Sequence, residues 1–149
     1  MNCRKKQLVK LQNGEYISLA KIETTLALHP LVEMACVVGN SLKNLPVAIL
    51  VPDMEKLTAL ASANQLIQPM ATKEKMCDDP EVRQAVLETL TDDLRDRGFQ
   101  RYEIPMAYHL APDGPWTPES GLVTGAMKLR RRQVEDRYKQ AIERMFDKK

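Results

Sequence analysis

Aromatic side chains are scarce: two phenylalanines, four tyrosines and one tryptophan make up 5% of the chain. That scarcity argues against a surface built to stack nucleic-acid bases. The cysteines, Cys3, Cys36 and Cys77, are odd in number and far apart, with no Cys-x-x-Cys. Such spacing points to a reducing compartment and away from a zinc site. Cys36 lies in the apolar run 34–38 and reads as a small core residue. No apolar run approaches the roughly 18 residues of a membrane span. Polar residues soon interrupt the basic start Met1-Asn2-Cys3-Arg4-Lys5-Lys6, so it does not read as a secretory segment. Gly-x-x-x-x-Gly-Lys-Ser/Thr, Gly-x-Gly-x-x-Gly and Gly-x-Ser-x-Gly are all missing. The chain therefore carries no self-contained nucleotide cradle and no nucleophile elbow. His29 and His109 are not at metal-ligand spacing; one reads as a helix-end residue, the other as a strand-surface residue.

What is present suits one domain. A chain of 149 residues, 44% apolar and 28% charged, can build a single core. Its net charge of +2 is unevenly spread: +4 over residues 1–10, −7 over 11–127 and +5 over 128–149. Two basic ends on an acidic body suggest two electropositive elements that meet one anionic ligand.

The periodicities predict the following order. Residues 7–11 and 16–19 flank Gln12-Asn13-Gly14-Glu15 and read as a hairpin. Ser18 caps a helix over 19–28 that buries Leu19, Ile22 and Leu26 and ends at His29-Pro30. Strands follow at 34–38 and 47–51. Asp53 caps a helix running to Asn64, and residues 65–77 give no clear pattern. Asp79 and Pro80 open a helix to Arg97, with Val82, Val86, Leu90 and Leu94 on one face and Gly98 after its end. Ile104, Met106, Tyr108 and Leu110 alternate as a half-buried strand. Residues 112–125, rich in proline and glycine, form a loop, and a last helix from Leu129 buries Val134, Tyr138, Ala141 and Met145. The fold class is α+β: an N-terminal β-hairpin, then a small mixed sheet of about three strands flanked by helices, ending in a helix.

Two segments could carry chemistry. In "RKKQLVKLQNGEYISLAKIE", residues 4–23, a cationic run enters a hairpin whose Gly14 permits a tight turn and lets backbone approach a ligand closely. An ordinary hairpin with a solvated basic flank explains the same pattern. In "WTPESGLVTGAMKLRRR", residues 116–132, a loop delivers Lys128 just before a helix. Its ammonium could stabilise charge on a phosphate or carboxylate oxygen. A surface lysine at the start of a basic helix explains it as well. Arg130, Arg131 and Arg132 read as a solvated helix start, but cations at a helix N-terminus oppose the macrodipole and call for an anion nearby.

Together these segments resemble the second half of the signature and the closing motif of long-chain fatty-acyl-CoA synthetases, in the adenylate-forming superfamily. The stretches "YEIPMAYHLAPDGPWTP" and "IERMF" fit the same family. The resemblance runs along nearly the whole chain, is weakest near residues 60–80, and covers only the family's small C-terminal domain.

The resemblance implies a two-step ligase. A fatty acid and Mg-ATP give an acyl-adenylate and pyrophosphate; CoA thiolate then displaces AMP. The C-terminal domain pivots between the steps. Lys128 matches the lysine that serves adenylation. Gly14, Glu15 and Tyr16 match the hairpin that lines the pantetheine path of CoA. Lys6 matches the hinge, and Arg4 matches an arginine near the nucleotide. The implied division is a hinge remnant at 1–6 and one mobile lid domain at 7–149, with 116–128 as the lysine-bearing loop. The implied partners are the N-terminal adenylation domain, fatty acid, ATP and CoA, with Mg2+ alongside ATP and no metal held by this domain. No nucleic acid and no transmembrane segment are expected. The expected place is the cytoplasm, with peripheral membrane contact through the parent enzyme, and the isolated chain should not turn over. The family's aspartates before the arginine and after the lysines are replaced by Cys3 and Gln7. Two other readings stay open: a free-standing interaction or regulatory module, and a basic nucleic-acid-binding module.

Overall fold

The computed structural model describes residues 8–63, 72–126 and 128–147. It opens with an antiparallel hairpin, β1 (Leu8–Lys10) and β2 (Tyr16–Ser18), in the register Leu8↔Ser18, Val9↔Ile17 and Lys10↔Tyr16. Asn13 and Gly14 make the turn. The Glu15 N–H donates to Asn13 Oδ1 at 3.0 Å, and Gly14 takes φ +90°, a region open to glycine at little cost. A lone two-stranded ribbon is marginal in water. Here Leu11 and Ile17, each 1% exposed, pin it to the core, and the Gln12 N–H donates to Lys43 O at 2.9 Å.

The chain then turns directly into helix α1 (Leu19–Leu26). Ser18 caps it by accepting from the Lys21 N–H, and Leu19, Ile22 and Leu26 are buried, as the spacing predicts. The helix stops short of Leu28. The N–H groups of Leu28 and His29 bond to Thr25 and Leu26, a tighter turn that brings the chain round before Pro30.

Strands β3 (Val32–Val38), β4 (Val47–Pro52) and β5 (Tyr108–Leu110) form a mixed sheet in the order β3-β4-β5. The first pair is antiparallel and the second parallel. A parallel pair needs a long crossover. This one carries α2 (Met54–Ala63), α3 (Lys73–Asp78) and α4 (Pro80–Asp96). Asp53 accepts from the N–H groups of Glu55 and Lys56, and Asp79 from those of Glu81 and Val82, so both expected caps form. After the sheet come a long loop and the helices α5 (Arg131–Arg137) and α6 (Lys139–Asp147).

Strand alternation splits the core. Val37, Ala48, Leu50, Tyr108 and Leu110 face α1, α2 and α4, where Val82, Val86, Leu90 and Leu94 are fully buried. Cys36, Ile49 and Val51 face the other way, against Trp116, Val134, Tyr138 and Met145. The central strand β4 is buried along its whole length, which explains its unbroken apolar run.

Four expectations need correction. The strand expected from Ile104 is shortened to Tyr108–Leu110, because Ile104 closes a 3₁₀ turn over Arg101–Glu103; ahead of the strand the pairing is extended by the Met106 N–H to Pro46 O and the Ala48 N–H to Ala107 O. His109 is half-buried: α5 and α6 cover its face of the sheet, and its ring lies 5.6 Å from that of Tyr138. The last helix is two helices, interrupted at Tyr138 (φ −108°, ψ 24°), with Ile142 added to the buried face. Helix α3, capped by Thr72, occupies part of the stretch that showed no pattern. The expected helix end at Asn64 lies outside the described residues. Among the described residues no helix is long and apolar enough to cross a membrane.

Candidate functional site

The first candidate element is the hairpin tip. Gly14, Glu15 and Tyr16 are all exposed, Tyr16 by 61%. An added Cβ on Gly14 would meet nothing within 4 Å, so a ligand has room to approach this backbone. Partial desolvation and the carboxylates of Glu15 and Glu103 push the Tyr102 phenol up. Lys21 lies beside the same turn, 3.5 Å from Glu103 and 4.9 Å from the centre of the Phe99 ring.

The second element is the loop that carries Lys128. Its outgoing foot is locked by Trp116, which is 1% exposed. Trp116 Nε1 donates to the Tyr138 hydroxyl at 3.1 Å, and that hydroxyl donates to Asp113 Oδ1 at 2.9 Å. Arg137 Nε donates to Asp113 Oδ2 at 3.1 Å, and a second guanidinium nitrogen bonds the same oxygen. Burial opposes the charge on Asp113, but the hydrogen bonds from Arg137 and Tyr138 outweigh it and hold the carboxyl below its usual range. The loop then passes a capped 3₁₀ turn, Pro118–Ser120, and Gly121 at φ +80°.

Beyond Gly121 the chain doubles back on itself. Val123 and Leu129 form an antiparallel bridge, the Thr124 N–H donates to Lys128 O at 2.8 Å, and the Arg130 N–H donates to Leu122 O at 2.9 Å. The Lys128 N–H donates to Thr124 Oγ1 at 3.1 Å. Leu122 and Val123 are buried, while Lys128 is exposed near the tip. Of its two neighbours in sequence, Leu129 is half-buried and Met127 lies outside the described residues.

The returning foot holds what sequence reasoning missed. Arg131 is half-buried and paired, not a solvated helix start. Its Nη1 and Nη2 donate to Glu23 Oε2 and Oε1 at 2.6 and 2.9 Å, and Nη1 also donates to Val37 O at 3.0 Å. The Val37 N–H donates to Glu23 Oε2 at 2.7 Å, closing a ring between α1, β3 and α5. Burial works against the Arg131 charge, and Glu23 outweighs it. Cys36 lies beside this pair; burial first, then the Glu23 carboxylate, push its thiol up to about 12. It stays protonated and inert, the core role the sequence assigned it. The macrodipole argument asked for an anion near the three arginines, and Glu23 meets it for one of them. Arg130 and Arg132 remain exposed, so the run is not a uniform cationic patch.

Among the described residues no hydrogen bond or ion pair joins Lys128 to Gly14, Glu15 or Tyr16; the link runs through Glu23 and Arg131. Arg4 and Lys6 lie outside the described residues. No group of three or more His, Cys, Asp or Glu side chains among the described residues could hold a metal ion. The larger grooves lie elsewhere, one between Lys43 and Phe146 and another between Arg83 and Met106. Among the described residues the domain presents two exposed tips, the Gly14 hairpin and the Lys128 loop.

Comparison with known proteins adds the following. The model of the family described as the AMP-binding enzyme C-terminal domain matches residues 21–117, between the hairpin and the lysine. The chain is 40% identical over 143 residues to long-chain-fatty-acid–CoA ligase 1 of Schizosaccharomyces pombe, covering 96% of this chain and 21% of that protein. It is 32% identical to long chain acyl-CoA synthetase 8 of Arabidopsis thaliana, covering 96% of this chain and 19% of that one. Among solved structures, the A domain of a carboxylic acid reductase from Segniliparus rugosus, bound to AMP and a co-purified carboxylic acid, superimposes with a TM-score of 0.78. It is 29% identical and covers 96% of this chain and 20% of that one. The chain thus spans about a fifth of the length of the curated relatives it matches.

Proposed function

The chain belongs to the AMP-binding enzyme C-terminal domain family, and on that premise we propose that it is the mobile C-terminal part of a long-chain fatty acid–CoA ligase. The complete enzyme converts fatty acid, ATP and CoA to acyl-CoA, AMP and pyrophosphate. Residues 1–6 act as its hinge, with Lys6 at the pivot and Arg4 near the nucleotide. Residues 7–149 form the lid, and its partner is the preceding adenylation domain.

In the first step a carboxylate oxygen attacks the α-phosphorus of ATP, and the bond to the departing pyrophosphate breaks. Negative charge gathers on the phosphate and carboxylate oxygens. Lys128 offers an ammonium to those oxygens from the end of a loop held at both feet, so little reorganisation is needed when charge develops. In the second step the CoA thiolate attacks the acyl carbonyl, and AMP leaves with the electron pair of the broken C–O bond. The hairpin tip then faces the site, and backbone at Gly14, with Glu15 and Tyr16, lines the path of the pantetheine arm. Mg2+ travels with the ATP phosphates. It would enter as part of that substrate, since among the described residues no group of three or more His, Cys, Asp or Glu side chains could hold a metal ion.

One observation carries the reading: an exposed lysine at the end of a loop whose two feet are fixed by buried or half-buried polar contacts. A surface lysine of no consequence needs no such support. The test is Lys128→Ala in the complete enzyme. Losing one preorganised charge contact should slow acyl-adenylate formation about 10²–10³-fold. Thioester formation from added acyl-adenylate should persist. Unchanged adenylation would remove Lys128 from the mechanism.

A further inference from the structure

We propose that Glu23 and Arg131 are positioning residues for adenylation: their ion pair holds the foot of the Lys128 loop against the helix that continues the Gly14 hairpin. The inference rests on the role given to Lys128 above and names what aims that side chain.

Position argues for it first. Arg131 stands three residues beyond Lys128, within about 10 Å of chain. Glu23 stands on α1, which begins directly after the hairpin strand β2. One contact therefore ties the adenylation lysine to the element that bears the CoA-step hairpin. The Val37 N–H and C=O complete the ring, so the third member is sheet backbone. The two tips then turn as one body when the domain pivots.

Chemistry argues for it next. The Glu23 carboxylate accepts two bonds from the arginine fork and one from the Val37 amide, while the same guanidinium reaches Val37 O. A planar fork can meet both carboxylate oxygens and a carbonyl together; a lysine ammonium cannot hold that geometry. The side chains are 13% and 23% exposed, so solvent screens the pair weakly. The other foot, at Trp116, bonds Tyr138 at the junction of α5 and α6 and Met34 on β3, and among the described residues no hydrogen bond or ion pair ties it to α1. Breaking the ion pair thus frees the Lys128 loop relative to the hairpin and leaves its other foot in place.

A purely stabilising pair predicts something different, and the test exploits that. Arg131→Met alone leaves Glu23 half-buried without its cation. Combining it with Glu23→Gln removes both charges and keeps an acceptor for the Val37 N–H, and neutral replacement of a buried pair tends to restore stability. In the complete enzyme both variants should lose adenylation kcat by about a hundredfold, the cost of misplacing a reacting group by an ångström. The KM for ATP and thioester formation from added acyl-adenylate should stay within about threefold, since the pair acts through Lys128 alone. Arg131→Lys should fall between parent and Arg131→Met. Hydrogen exchange in the double variant should quicken at the Thr124 and Arg130 amides and not at β1 and β2. A double variant that melts like the parent and adenylates at the parental rate overturns the proposal, as does equal loss in both half-reactions or unchanged exchange at Thr124 and Arg130. Lys128→Ala is measured alongside: if it leaves adenylation intact, the reading of Lys128 fails whatever the exchange shows.

Discussion

The Gly14 hairpin and the Lys128 loop both present exposed tips, but they are held in opposite ways. The hairpin is built locally. An Asn-Gly turn sets its hand, three facing residue pairs set its register, and Leu11 and Ile17 dock it by apolar burial. The loop is built from a distance. Among the described residues its β-bridge is the single pair Val123↔Leu129, and its feet depend on Trp116 reaching Tyr138 and on Arg131 reaching Glu23, 108 residues away in sequence. An element that needs only to bring backbone near a ligand can rely on turn geometry. An element that must place one charge needs directional contacts at its base.

That contrast can be broken from either side. The largest effect should come from Trp116→Ala, which empties a fully buried site and strips the Tyr138 hydroxyl of a donor. We expect a loss of about 3–5 kcal/mol in urea unfolding, with exchange quickening along residues 112–130 before it does in the hairpin. Equal quickening in both would erase the distinction between them. Gly14→Ala strikes the other side. At φ +90° an L side chain is strained whatever the space around it, and the cost should be about 1–2 kcal/mol, read as lowered protection of β1 and β2 alone. Ser18→Ala removes the acceptor for the Lys21 N–H and should cost about 1 kcal/mol, loosening the start of α1 and not the loop.

The smallest effect is a pH dependence on the loop's side of the sheet. Burial first, then Arg83 and Arg144, hold His109 below its ordinary imidazole value. A depressed pKa means the unfolded chain binds the proton more readily. This contribution is full above about pH 6.5, the unfolded value, and is lost as pH falls through the lower folded value. His109→Phe should flatten that part of the stability profile in urea titrations at pH 5 to 7. An unchanged slope would show that His109 does not titrate differently on folding.

The same division explains what could be read in advance. Hairpin, capped helices and the buried strands β3 and β4 follow from turn chemistry and periodicity within a few residues, and their apolar faces appear as expected. Gly14, in an Asn-Gly turn, and Lys128, at a loop end, fit ordinary local rules as well, and the resemblance to acyl-CoA synthetases is what singled them out. The contacts that fix the loop were hidden, since no local rule pairs Glu23 with Arg131 or Asp113 with Tyr138. A faint signal existed: a carboxylate beside the apolar face of α1, and arginines facing the wrong end of a helix dipole. The break at Tyr138 left even less trace, because the side chains of both short helices keep one continuous buried stripe.

The central claim is that one small domain serves two reactions with two separate tips. It is tested most directly by measuring both half-reactions of the complete enzyme in Lys128→Ala and in Gly14→Trp. The prediction is a crossing pattern. Lys128→Ala slows acyl-adenylate formation about 10²–10³-fold and spares transfer to CoA, while Gly14→Trp spares adenylate formation and blocks transfer. Parallel losses in the two variants, with both half-reactions falling together, would contradict it.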